Sequence, residues 1–189
     1  MTAQQLRQIT KCYRIGDPAG AYPIFDPTGS KIAPGRWNTP ASPMIYTSEH
    51  YSTAMLEKLV HGSGMLPPNQ HYIEILLPPG LSYEELDTAA LPAWADPAPS
   101  FASKSYGEDW YQQQRSLLLF VPSVVARLEF NILINPSHPE FPSIQAAPRH
   151  HPVWWDTRLF PVAPATSAPT PSSSPPGSAP TRRRRRPAP

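Results

Sequence analysis

Along this chain the apolar residues come in short blocks, each closed by proline, glycine or a polar turn. One block has helical spacing. Within 49–61, Met55, Leu56, Leu59 and Val60 recur on one side of a 3.6-residue period and predict a helix with that stripe against the core. Ser48 is its expected cap, and Gly62 and Gly64 its stop. Glu57 falls at the edge of the stripe, between Ala54 and Val60, with His61 one turn further on. The other blocks read as strands, over 44–46, 72–77, 117–121, 131–134 and 153–159. Pro78 and Pro79 end the second of these. The block 117–121 is apolar almost throughout, as expected of a strand buried on both faces. A second helix is predicted over 106–114, and Ser82 is placed as the cap of a short turn through Leu86. Residues 11–43 are turn-rich, with breakers at Asp17-Pro18, Pro27-Thr28-Gly29 and Pro34-Gly35. Strands and helices do not alternate regularly. The expected class is therefore α+β, a compact mixed β-sheet core with short helices, rather than a doubly wound sheet.

Composition changes the picture at the ends. Of the 28 prolines, nine fall in 161–189, together with serine, threonine, alanine and the run Arg182 to Arg186. Such a segment buries too little apolar surface to offset its ordering entropy, so a disordered tail is expected there. Residues 1–10 are polar and expected to fray, leaving 11–160 as the domain. The net charge of +2 is also uneven. Before position 161 there are 11 basic against 14 acidic side chains, a balance of −3, whereas the tail carries five arginines and no acid. A mildly acidic domain makes direct nucleic-acid binding an unfavoured function, and nuclease toxins with it. The single cysteine, Cys12, excludes an internal disulfide framework and fits a reducing compartment. The segment from Met1 to Arg7 has no apolar region of the signal-peptide kind, and no stretch has the length of a membrane span. A cytoplasmic protein without membrane contact is expected. His138, His150 and His151 lack metal-ligand spacing, so no metal is expected. The absence of both a Gly-x-Gly-x-x-Gly fingerprint and a P-loop argues against NAD as a redox cofactor.

A carboxylate at the edge of a buried stripe is partly desolvated, which is unfavourable without a partner or a task. The plain alternative for Glu57 is a surface pair with His61. Arg36 stands in the turn Gly35-Arg36-Trp37-Asn38, where backbone amides cluster. Arg14 reads, by itself, as an ordinary structural ion pair. Tyr46 ends a strand just ahead of the Glu57 helix, equally suited to core packing or to stacking on a ligand and donating its hydroxyl to it.

The segments 13–15, 25–38, 45–47 and Leu56-Glu57 together resemble the RES domain family, named for an Arg, a Glu and a Ser. The resemblance continues through 81–86, 107–110, Arg115-Ser116, Val121-Pro122-Ser123, 131–139 and 155–159, and so covers roughly 11–160. It implies an ADP-ribosyltransferase-like fold and a toxin that consumes NAD as substrate, neutralised by an Xre-type helix-turn-helix antitoxin. Oligomeric state stays open, a homodimer included. On this reading Glu57, Arg36 and Tyr46 are catalytic, and Arg14, Ser116 and Asn135 bind substrate, Ser116 being matched to the family's Ser. Asn135, ahead of Pro136, also reads as a turn former. The chemistry is consistent with these residue types. Glycoside hydrolysis ordinarily needs two carboxyl groups, but the nicotinamide of NAD is already cationic and leaves without a proton. One carboxylate opposite the ribosyl cation then suffices, with arginine forks on the pyrophosphate. The acceptor is water or phosphate. The alternatives are transfer of ADP-ribose to a protein, and an inactive toxin-like binding module.

Overall fold

A computed structural model describes residues 3–62, 65, 68–96, 101–146 and 149–160. The expected disordered tail and Gly64 lie outside the described residues. Within them the chain forms β1 (Gln4–Gln5), β2 (Thr10–Gly16), α1 (Thr28–Ile32), β3 (Ile45–Ser48), α2 (Tyr51–His61), β4 (His71–Leu77) and β5 (Ser82–Glu85). There follow α3 (Phe101–Gln112), β6 (Leu118–Pro122), β7 (Phe130–Ile134), β8 (Gln145–Ala146) and β9 (His151–Pro152), with short 3₁₀ turns at Pro92–Ala95, Phe141–Ser143 and Thr157–Leu159. The strands join in one mixed sheet of order β1-β5-β6-β7-β3-β2-β4-β8, with β9 also pairing β4. Only β5 and β6 run parallel, and the chain between them carries the crossover that a parallel pair requires, including α3. The class is α+β, as its irregular pattern of blocks implied.

The central strands β6 and β7 are covered on both sides. Leu118, Ile132 and Ile134 face one cluster, with Cys12, Ile45, Ile73, Ile75 and Leu77. Leu119, Val121 and Leu133 face another, with Trp37, Met44, Leu86 and Trp110. The alternation follows from the two-residue period of a strand. It also explains why 117–121 reads as continuously apolar.

Several expectations are corrected. Residues 1–10 are not frayed throughout, since β1 pairs β5 and β2 begins at Thr10. The segment 11–43 opens with the seven-residue β2, which pairs β4 along its full length. Ser82 caps nothing. It opens β5, and its hydroxyl accepts from the Leu117 amide and donates to Glu140, tying two strands together. The proposed strand at 153–159 is reduced to His151–Pro152 followed by a 3₁₀ turn, held by Asp156 accepting from the Arg158 amide. The α2 helix begins at Tyr51 after His50, with no side-chain cap, while Ser48 donates to Asn131 instead.

The face of α2 is the largest correction. Its buried residues are Thr53 and Ala54, whereas Leu56 and Val60 are 42% and 59% exposed. The helix packs on β2 and β3. Small residues on that side permit close approach to the strands. The inward face is therefore rotated from the apolar stripe, and it brings Glu57 and Lys58 inward with Ala54.

Candidate active site

The sheet is split between β2 and β3. Each of these strands is fully laddered to its outer neighbour, β4 or β7, but they pair with each other only at Tyr13 and Ser48. Beyond that point they diverge. A cleft of about 850 Å³ occupies the fork, and Tyr13, Arg14, Arg36, Tyr46, Glu57, Lys58 and Asn131 are among its lining residues.

Arg14 spans the fork. Its guanidinium donates to the carbonyls of Tyr46 at 2.9 Å and Asp26 at 3.3 Å, taking up backbone acceptors near the split. Burial pushes the group down to about 10, against the opposing pull of Asp26 and Tyr46. The expected ion pair is thus a clasp on two carbonyls, and the arginine also lines the cleft.

The turn at 35–38 is built on Asn38, which is fully buried. Its Oδ1 accepts from the Gly35 amide at 2.7 Å and from the Tyr46 hydroxyl at 2.9 Å. Its Nδ2 donates to the carbonyls of Ser30 and Thr39. The Tyr46 oxygen in turn accepts from the Trp37 amide. Gly35 has no alternative here, because a Cβ would lie 2.8 Å from both Cζ and the hydroxyl of Tyr46. This turn sets Arg36 on the cleft wall, where Nη1 donates to the Trp94 carbonyl at 3.1 Å. Tyr46 therefore differs from the expected ligand donor. Its one hydroxyl proton goes to Asn38, and burial raises the phenol far above its ordinary range. What it offers a ligand is its ring.

Glu57 is half-buried on the inner side of α2. Its Oε1 accepts from the Asn131 amide at 2.6 Å and the Ser123 hydroxyl at 2.9 Å, and Oε2 accepts from none of the described residues. The partner is therefore not His61. Ser123 is itself fixed, since its oxygen accepts from the amides of Val125 and Ala126. The ladder between β6 and β7 places the two donors together, with Val121 opposite Asn131 and the Ser123 amide on the Glu129 carbonyl.

Ser116 and Asn135 are not in the cleft. Ser116 is fully buried, accepting from the Trp110 indole and donating to the Leu118 carbonyl, both at 2.8 Å. Its hydroxyl holds α3 to the start of β6. Asn135 is also fully buried. It donates to the Tyr111 carbonyl and accepts from the Ser137 amide, closing the turn that its place before Pro136 suggested. The serine beside Glu57 is Ser123. A polar residue directly after the apolar β6, opening a turn, was the available signal, and Asn131 at the start of the next apolar block was its counterpart. Asn38 and Lys58 were also missed as parts of the site.

The family model of the RES domain matches residues 11–156. The chain belongs to the RES domain family. Among the relatives of this RES protein is the Prs ADP-ribosylating toxin of Sphingobium sp. (strain YBL2), 39% identical over 143 residues, spanning 72% of this chain and 89% of the relative. A protein named Toxin Res from Photorhabdus laumondii subsp. laumondii is 34% identical over 131 residues, spanning 68% and 83%. The crystal structure of the M. tuberculosis MbcT-MbcA toxin-antitoxin complex contains a chain of the same fold, with a TM-score of 0.62 at 13% identity, over 79% of this chain and 86% of that one. Among the described residues no helix is long and apolar enough to cross a membrane.

Proposed function

We propose that this RES protein is a cytoplasmic toxin that consumes NAD by breaking the nicotinamide–ribose bond, with Glu57 facing the ribosyl cation. The observation that carries the reading is the Glu57 carboxylate. One oxygen is tied to Ser123 and Asn131, and the other is left to a ligand in a cleft whose remaining charged lining includes Arg14, Arg36 and Lys58. A lone negative charge held by two donors is the preorganised electrostatics that an oxocarbenium-like transition state needs. The C–N bond breaks with both electrons going to nicotinamide, which leaves neutral. An acceptor oxygen then bonds to the ribose carbon and gives up its proton to solvent. Water yields ADP-ribose, and phosphate yields its phosphate ester. Arg36 and Arg14 supply the positive field for the pyrophosphate, and the Tyr46 ring forms a flat wall for the nicotinamide. NAD is thus substrate and no resident cofactor enters.

The name of the 39%-identical relative favours one second reading, in which a protein side chain accepts the ADP-ribose. Its first step is the same bond cleavage. The resemblance in fold to a chain from a toxin–antitoxin complex supports an antitoxin partner, for which the Xre helix-turn-helix type is our proposal.

The test is to incubate the purified protein with NAD and resolve the products with and without phosphate, beside Glu57→Gln. The wild type is expected to release nicotinamide. The amide keeps the side chain's shape and its acceptor oxygen but removes the charge. Loss of such a stabiliser typically lowers kcat by on the order of 10²–10³. A Glu57→Gln variant with wild-type melting and wild-type NAD consumption would sink the mechanism.

A further inference from the structure

Lys58 is the cleft residue that the reading above leaves without work. It follows Glu57 on α2, is half-buried, and lines the cleft on the side of Arg14. The neighbouring carboxylate does not neutralise it, because Glu57 is drawn to Ser123, just after β6, and to Asn131 on β7. Among the described residues the Lys58 ammonium makes no hydrogen bond and no ion pair. Arg14, its cationic neighbour, has committed two N–H groups to carbonyls, leaving three of the five a guanidinium carries. Two cations face one cleft wall, both partly stripped of water. Burial and the Arg14 charge lower the Lys58 ammonium from its ordinary value, opposed by Asp17. That acid is shared, since Asp17 accepts from the Ala19 amide and the Asn69 side chain. A like-charged, half-desolvated pair is unfavourable in the empty protein, and an oxyanion between the two relieves both terms.

We propose that Lys58 and the unused N–H groups of Arg14 form a phosphate-binding subsite of the cleft. Naming its occupant as the pyrophosphate of NAD rests on the function proposed above, whereas the subsite itself rests on the cleft. Lys58 would act by binding, one residue away from the carboxylate that faces the ribose. The dinucleotide would then run from Glu57, at its ribosyl carbon, toward the β2 side of the fork.

The experiment is calorimetric titration of the full chain with inorganic pyrophosphate and with ADP-ribose, using wild type, Lys58→Met and Lys58→Arg. Lys58→Met keeps the apolar stem and removes the charge. Loss of one charge-assisted contact is expected to weaken both ligands by on the order of tenfold or more. Lys58→Arg is expected to restore most of the affinity, which a purely structural role for the lysine stem would not do. Steady-state NAD kinetics should show a raised KM in Lys58→Met with kcat less affected. Equal affinities of wild type and Lys58→Met for both ligands would overturn the subsite, even if the wild type cleaves NAD. Lys58-dependent pyrophosphate binding in a protein that leaves NAD intact would uphold the subsite and refute the NAD reading instead.

Discussion

Ser116 and Ser123 stand seven positions apart on either side of β6, and strand geometry decides which of them reaches Glu57. At roughly 3.3 Å per residue the two hydroxyls are on the order of 20 Å apart, so one serine cannot replace the other. Ser123 donates to the Glu57 oxygen, while Ser116 ties the Trp110 indole to β6. The two alanine variants should therefore fail differently. Ser123→Ala is expected to lower NAD turnover through a less fixed carboxylate, with kcat falling more than substrate affinity. Ser116→Ala leaves the buried indole N–H without a partner, which costs about 1–3 kcal/mol of stability. Its turnover per folded molecule should be near wild type. Melting curves paired with NAD kinetics separate the two, and the opposite assignment of effects would return the substrate-binding role to Ser116.

Among the elements, the turn between α1 and β3 and the helix α2 form the cleft's working walls. The turn depends on contact between Gly35 and Tyr46. In Gly35→Ala the new methyl meets an aromatic ring whose oxygen is pinned by Trp37 and Asn38, so neither partner can yield cheaply. Overpacking of this kind costs about 1–3 kcal/mol. The variant should melt lower and bind NAD less tightly, because Arg36 is carried by the displaced turn. A Gly35→Ala protein with an unchanged KM would show that Arg36 is positioned independently of Tyr46. The helix depends instead on Thr53 and Ala54, the small residues that let it approach β2 and β3.

At the scale of the whole molecule, the buried core titrates. Burial raises the Cys12 thiol from 9.0 to about 12, despite a hydrogen bond with Thr47. A group whose pKa is raised by folding stabilises fully below its unfolded value and loses that contribution as pH climbs to the folded one. For Cys12 the window is pH 9 to 12, and the raised Tyr46 phenol acts in the same direction. Arg14, lowered from 12.5 to about 10, opposes them between those values. The melting temperature is expected to fall as pH rises from 9 to 11, and to fall less steeply in Cys12→Ala. Parallel slopes in the two proteins would show that the thiol does not report the core. At the same scale, the family match ends at residue 156, ahead of the proline-rich, arginine-bearing segment. A truncation ending at Pro161 should keep NAD turnover, and a large loss of rate in a folded truncation would show that the tail shapes the site.

By itself the sequence determined what local pattern can encode. The apolar blocks marked β4, β6, β7 and α2 to within two residues, whereas α3 begins at Phe101, five residues ahead of the expected start. Their irregular order implied an α+β class, and the motif around Arg36 and Glu57 led to the family. Tertiary structure decided what depends on partners distant along the chain. The inward face of α2 is set by how closely it approaches β2 and β3, so its stripe of Leu56 and Val60 pointed the wrong way. The serine beside Glu57 is set by the register that puts Val121 opposite Asn131. The Tyr46 hydroxyl is turned from ligand to scaffold by Asn38, and Lys58 is exposed to the cleft because β2 and β3 part after one paired position. Periodicity records which residues are apolar. It carries no information about which donor meets which acceptor across a sheet, and that pairing makes the site.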